Sequence, residues 1–294
     1  MKEHEIQYSI HNALLRLSYL SDVGMSEMIG LMRLHVQEVT RFTSLISSHI
    51  ILSPDEKDEF QQNCQSYGLD SEQFLHESKI GFQFSHLGIF LIKTCAAIHD
   101  IGKPFFREIY SQPRGLTKEE FEIQKYHTNL GRIIIRSWGD NCNILCKHRE
   151  LLNYIADVAI SHQEKYDGTG YPDGLIGKEI PLMGRILVIT DVISAIVNER
   201  PYKKPVPVKK CMEIMKQESG THFDPELLLR VEEMYNKGIF TDDRVHGKWV
   251  EKNKFSKDYF EFIQQIELDK SKIHKGDIPV INELNQLLSN ALKK

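Results

Sequence analysis

The sequence predicts an all-helical fold, and three observations carry the prediction. Apolar residues recur at three- and four-residue spacings, clear period-two alternation is scarce, and the most strand-like stretch carries a polar stripe with helical spacing. The recurrence is plain in Ile10-Leu14-Leu17-Leu20, from Met28 to Ile46, from Phe84 to Ile98, and in Leu227-Val231-Met234. Residues 185–198 hold enough β-branched side chains to suggest a strand. Asp191, Ser194 and Asn198 fall three and four apart, however, so they line one side of a helix that is otherwise apolar.

Ser53 before Pro54 predicts a helix N-cap with proline in the first turn, opening an acidic, polar helical insertion at the surface over 53–83. The glycine- and proline-rich stretch 163–184 reads as an ordered loop between helices. The organisation expected is an N-terminal helical extension over 1–24, a main domain over 25–240 and a lysine-rich helical tail over 241–294. The tail has two readings, a dimerisation element and a plain stabilising cap.

Composition narrows the class. The chain has 294 residues, 41% apolar and 27% charged, which is ordinary for a globular protein with length enough to bury a core. A net charge of −4 leaves no global basic field, so no polymeric nucleic acid is expected as partner. No run approaches the roughly 18 apolar residues of a membrane helix, and Met1-Lys2-Glu3-His4 leads into polar sequence; a cytoplasmic protein without membrane insertion is expected. Cys64, Cys95, Cys142, Cys146 and Cys211 form an odd set without a disulfide framework, which fits a reducing compartment. Cys142, Cys146 and His148 have the chemistry of zinc ligands, but a structural zinc takes a second ligand pair. The plainer reading is two cysteines one helical turn apart.

The chemistry concentrates between residues 99 and 191. An apolar helix over Ala96-Ala97-Ile98 runs into His99 and Asp100, followed by Gly102, a glycine suited to stop it, and Lys103. A carboxylate at the end of a buried helix is costly unless paired or bound to metal, and the adjacent imidazole is a ligand that transition metals accept. His127 and His162 each end an amphipathic segment, and Asp191 lies on the polar stripe.

These motifs, in this order, resemble the HD-GYP family, a branch of the HD-domain metal-dependent phosphohydrolases. The resemblance rests on HDIGK at 99–103, Gly115-Leu116-Thr117, His127 and Gly131, HQEKYDGTGYP at 162–172, Gly184-Arg185-Ile186, Thr190-Asp191-Val192, Glu199-Arg200-Pro201-Tyr202-Lys203 and Gly220-Thr221-His222-Phe223-Asp224-Pro225. It covers roughly 25–235 and implies an HD-domain helical bundle with additional C-terminal helices. It implies that His35, His99, Asp100, His127, His162 and Asp191 hold two divalent metal ions, iron or manganese, with Asp100 bridging them. The gap from His35 to His99 is longer than is usual in the family and contains His49, His76 and His86.

The resemblance further implies that Lys103 neutralises phosphoryl charge, that Arg200 and Lys203 contact a cyclic dinucleotide, and that Tyr171 shapes the pocket rim. The reaction implied is ring opening of cyclic di-GMP to linear pGpG. The chain departs from the family at Leu31, where members with three metals carry glutamate, at Gln163, where a second histidine is usual, and at Ser194, a common aspartate. Two lost ligands predict a two-metal site. The alternatives are a non-catalytic cyclic-dinucleotide sensor or scaffold and a hydrolase of another cyclic dinucleotide, such as cyclic GMP-AMP. A homodimer or a signalling-protein partner is the expected association.

Overall fold

The structure, a computed structural model, describes residues 30–110, 114–141, 145–198 and 204–240. The extension 1–24, the tail 241–294, Cys142, Arg200, Lys203 and the side chains of Leu31 and Cys146 lie outside the described residues.

The strand-or-helix question at 185–198 is decided for helix. Leu182–Val197 is one α-helix, buried on nearly every side, and only its Asp191-Val192 edge and Ala195 are partly open. A helix apolar around its whole circumference belongs at the centre of a bundle. We number the helices α1 (Gly30–Ser47), α2 (Pro54–Ser66), α3 (His86–Ile98), α4 (Lys118–Asn141), α5 (Arg149–Ile160), α6 (Leu182–Val197), α7 (Val208–Gln217) and α8 (Pro225–Asn236). α1, α2, α3, α5, α7 and α8 all pack on α6, α1 also lies along α3, and α4 lies along α5. The described residues are all-helical apart from a small two-stranded sheet.

That sheet lies in the segment expected to be a helical insertion. Ser53 does cap α2: its hydroxyl accepts from the Glu56 amide at 3.3 Å, and Glu56 accepts from the Ser53 amide at 2.8 Å. The helix stops at Ser66, and the chain then forms strands β1 (Leu75–Ser78) and β2 (Gly81–Phe84), with Leu75 opposite Phe84 and Ser78 opposite Gly81. Gly81 has φ +130°, a conformation that favours glycine, and it closes the hairpin. Nor is the segment a surface layer. Phe60, Phe74 and Phe84 are fully buried and belong to the main core.

A second correction concerns His127. It does not end a segment but lies inside α4, whose apolar face continues beyond it through Leu130, Ile133, Ile134 and Ile135.

α2, α6 and α8 are joined by buried charge. Arg185 on α6 is 2% exposed and pairs with both Asp224, the N-cap of α8, and Glu59 on α2; its Nε also donates to the Ile180 carbonyl at 3.0 Å. Glu56 and Arg230 form a second pair between α2 and α8. Among the described residues no helix is long and apolar enough to cross a membrane.

Candidate metal centre

Ser85 caps α3 by accepting from the Gly88 amide at 3.1 Å, and the apolar helix delivers His99 and Asp100 into the bundle at its end, each 1% exposed. The His99 Nδ1 donates to the Ala96 carbonyl at 2.6 Å, three residues back. The same contact recurs at His127 with Gln124, also 2.6 Å, and at His162 with Ala159, 2.7 Å. A carbonyl only accepts, so Nδ1 carries the proton in each ring and Nε2 presents a lone pair.

Those lone pairs converge. Nε2 of His127 and Nε2 of His162 lie 3.3 Å apart, each 3.5 Å from Oδ1 of Asp100. Nε2 of His99 is 3.3 Å from Oδ2 of Asp100 and 3.9 Å from Oδ1 of Asp191. His35, on α1, completes the group with Nε2 2.9 Å from Oδ1 of Asp191 and its ring 5.7 Å from that of His99. The long gap between His35 and His99 therefore does not separate them: α2 and the hairpin are accommodated between α1 and α3 while these two helices pack together. His49, His76 and His86 are exposed and away from the group.

His99 Nε2, Asp100 Oδ1 and Asp191 Oδ1 are buried atoms without a hydrogen-bond partner. Leaving one buried acceptor unsatisfied costs about 1–3 kcal/mol, more for a charged one. A cation satisfies all of them together, and two overlapping donor sets fit one: His35, His99 and Asp191, and His99, Asp100 and His162, with the donor atoms of each set within 4.8 Å of one another. Mixed imidazole and carboxylate donors suit a divalent transition metal.

The protonation states agree with that use. Burial works against ionisation of Asp100, but His99 and Lys103 outweigh it and hold the carboxyl well below the usual range. Burial opposes ionisation of Asp191 too, and the neighbouring His35 ring, 2.9 Å away, outweighs it. Burial pushes His127 down to about 3, with Lys103 adding to the effect, and lowers His162. His99 differs: burial lowers it, yet the two neighbouring carboxylates raise it overall, so a metal at this ring competes with a proton.

Lys103 sits one turn beyond Asp100, its Nζ 2.6 Å from Oδ2. Gly102 has a different role from the helix stop expected of it. A Cβ there would lie 2.0 Å from the His127 carbonyl oxygen, so glycine permits the HD turn to meet α4. Gly170 is required for the same kind of reason, since a Cβ would fall 2.3 Å from the Lys165 amide nitrogen.

The 163–177 loop is tied down by residues to which sequence reasoning gave no role. Buried Glu164 accepts from the amides of Asp173 at 2.7 Å and Leu175 at 3.1 Å, and burial raises its carboxyl. Tyr166 and Asp167 donate backbone bonds to the carbonyls of His222 and Thr221. Ser194, fully buried, lies behind His35: its Oγ is 3.0 Å from His35 Nδ1. Asn198 donates to that Oγ at 3.3 Å, and the hydroxyl donates to the His35 carbonyl at 3.5 Å. The oxygen is thereby left to accept from Nδ1, which gives His35 the tautomer of the other rings. The stripe of Asp191, Ser194 and Asn198 was the available signal for this arrangement.

The fold and donor set define a helical-bundle protein with a buried histidine–aspartate cluster that could hold a divalent metal. Residues 88–227 match the model of the HD domain, the superfamily to which the sequence motifs point. It is 35% identical over 177 residues to a cyclic di-GMP phosphodiesterase of Thermotoga maritima, covering 56% of this chain and 45% of that one. It is 36% identical over 152 residues to a cyclic di-GMP phosphodiesterase of Vibrio cholerae, covering 49% and 30%. A 3'3'-cGAMP-specific phosphodiesterase 2 of the same organism is 34% identical over 140 residues, covering 47% and 25%. The chain spans less than half the length of these relatives.

Proposed function

We propose that the protein is a metal-dependent phosphodiesterase of the HD-GYP type that opens cyclic di-GMP to linear pGpG. The observation that carries the reading is the gathering of His35, His99, His127, His162, Asp100 and Asp191 into one largely buried cluster, in which three acceptor atoms lack a hydrogen-bond partner. Asp100 directs one oxygen toward His127 and His162 and the other toward His99, so its carboxylate would serve two ions, while the one free nitrogen of His99 would bind one of them. Iron and manganese suit these donors. Bound there, such ions supply Lewis acidity toward a phosphodiester and lower the pKa of water.

The chain's own groups do the rest. The Nδ1 bonds hold each imidazole in the orientation that ligation requires, Lys103 brings positive charge to the edge where phosphoryl oxygens gather, and Tyr171 walls the pocket beside His127, the two rings 6.4 Å apart. Arg200 and Lys203 are assigned to the dinucleotide by family resemblance. The buried thiols of Cys64, Cys95 and Cys211, none of them in a disulfide, support a reducing, cytoplasmic setting.

The test is hydrolysis by anaerobically purified protein loaded with ferrous iron or manganese. Metal-dependent formation of pGpG is expected; binding without turnover across all metals leaves only a sensor. Relatives named for 3'3'-cGAMP favour a second substrate reading, and a panel at fixed enzyme and metal separates the two. Preference for a nucleoside triphosphate overturns both. Ser194→Ala tests the support of His35: metal affinity is expected to fall about 10- to 100-fold by competition with a chelator, and unchanged affinity counts against that role.

A further inference from the structure

Gln163 stands beside His162 where a further imidazole ligand is usual in the family, and a hydrogen-bonded chain shows what it does instead. The Tyr110 hydroxyl donates to Oε1 of Gln124 at 2.8 Å, Nε2 of Gln124 donates to the Tyr171 oxygen at 3.3 Å, and the Tyr171 hydroxyl donates to Oε1 of Gln163 at 2.9 Å. All three bonds run in one direction, so each polar group is used once and the Tyr171 hydroxyl has no choice of acceptor. The Tyr171 amide also donates to the Gln163 carbonyl at 3.1 Å.

From this geometry we infer that Gln163 is a positioning residue for Tyr171 and not a metal ligand. The one side-chain atom able to coordinate, Oε1, is aimed at the Tyr171 hydroxyl, and the amide N–H groups cannot bind a cation. Gln124 lies three residues before His127 in α4, and its backbone carbonyl is the group that aims that ring. One residue thus orients His127 with its backbone and the pocket tyrosine with its side chain. Gly170, packed on the Glu164–Lys165 backbone, brings the tyrosine to this position.

The inference rests on the phosphodiesterase reading for its kinetic part only. Gln163→Met, which fills the space without accepting, is expected to raise KM about 3- to 10-fold, the value of one hydrogen bond, with kcat nearly retained. Metal per chain, read by elemental analysis, stays at the wild-type value. Tyr171→Phe behaves alike, and the double variant is no worse than either single one. Gln163→Glu, whose carboxylate still accepts from Tyr171, recovers most of the loss. Loss of a metal equivalent in Gln163→Met, a fall confined to kcat, or additive effects in the double variant overturns the inference. If the wild type turns over no cyclic dinucleotide, the functional reading fails, while metal content and the thermal-stability cycle between Gln163 and Tyr171 still decide this one, additivity again overturning it.

Discussion

Asp100→Asn is expected to lower phosphodiester turnover by on the order of 10³-fold or more while leaving the helical fold in place. The substitution keeps shape and removes the charge on which the centre depends. Asp100 faces His99, His127 and His162 within 3.5 Å and also holds Lys103. An amide has one oxygen where the carboxylate has two, so one side of the centre meets N–H groups, which repel a cation. Lys103 loses its counter-charge at the same time. Metal content should fall together with activity, and far-UV circular dichroism should remain that of the wild type. A variant that keeps its full metal complement and a tenth of its activity would show that Asp100 is not shared between ions.

Arg185→Met should cost stability instead. Removing one member of a buried ion cluster leaves its partners as uncompensated charges, at about 3–5 kcal/mol. For a domain of this size that corresponds to a fall of roughly 6–20 °C in Tm. Asp224 and Glu59 are the charges left behind, and Asp224 must also cap α8 through the amides of Glu226 and Leu227. Urea or thermal melts of the metal-free protein measure the loss without reference to activity. A change under 1 kcal/mol would mean that the two carboxylates find other partners or take up protons at little cost.

The residues that could be read from sequence are those whose constraint is local. His99 and Asp100 follow an apolar helix, and the Asp191, Ser194 and Asn198 stripe has helical spacing, so both were visible in a short window. Relations between distant segments were not visible in this way. The bond from Ser194 to His35 spans 159 positions, and that from Gln124 to Tyr171 spans 47. The β1–β2 hairpin was missed because four-residue strands carry little periodicity, and because Phe74 and Phe84 at its borders fit a buried helix equally well. Gly102 misled for a related reason: a glycine after a helix suggests a stop, and only the facing carbonyl of His127 reveals the close approach.

The carbonyl that aims each of His99, His127 and His162 belongs to the ring's own chain segment, three residues back. Each imidazole and its guide therefore travel together, and a substitution that shifts a helix carries ring and guide by the same amount without spoiling the angle between them. Damage from distant mutations should then appear as altered spacing between the imidazoles, not as misaimed rings. The place most sensitive to such drift is the Gly102 contact with α4, where the segments carrying His99 and His127 touch with no room for a side chain.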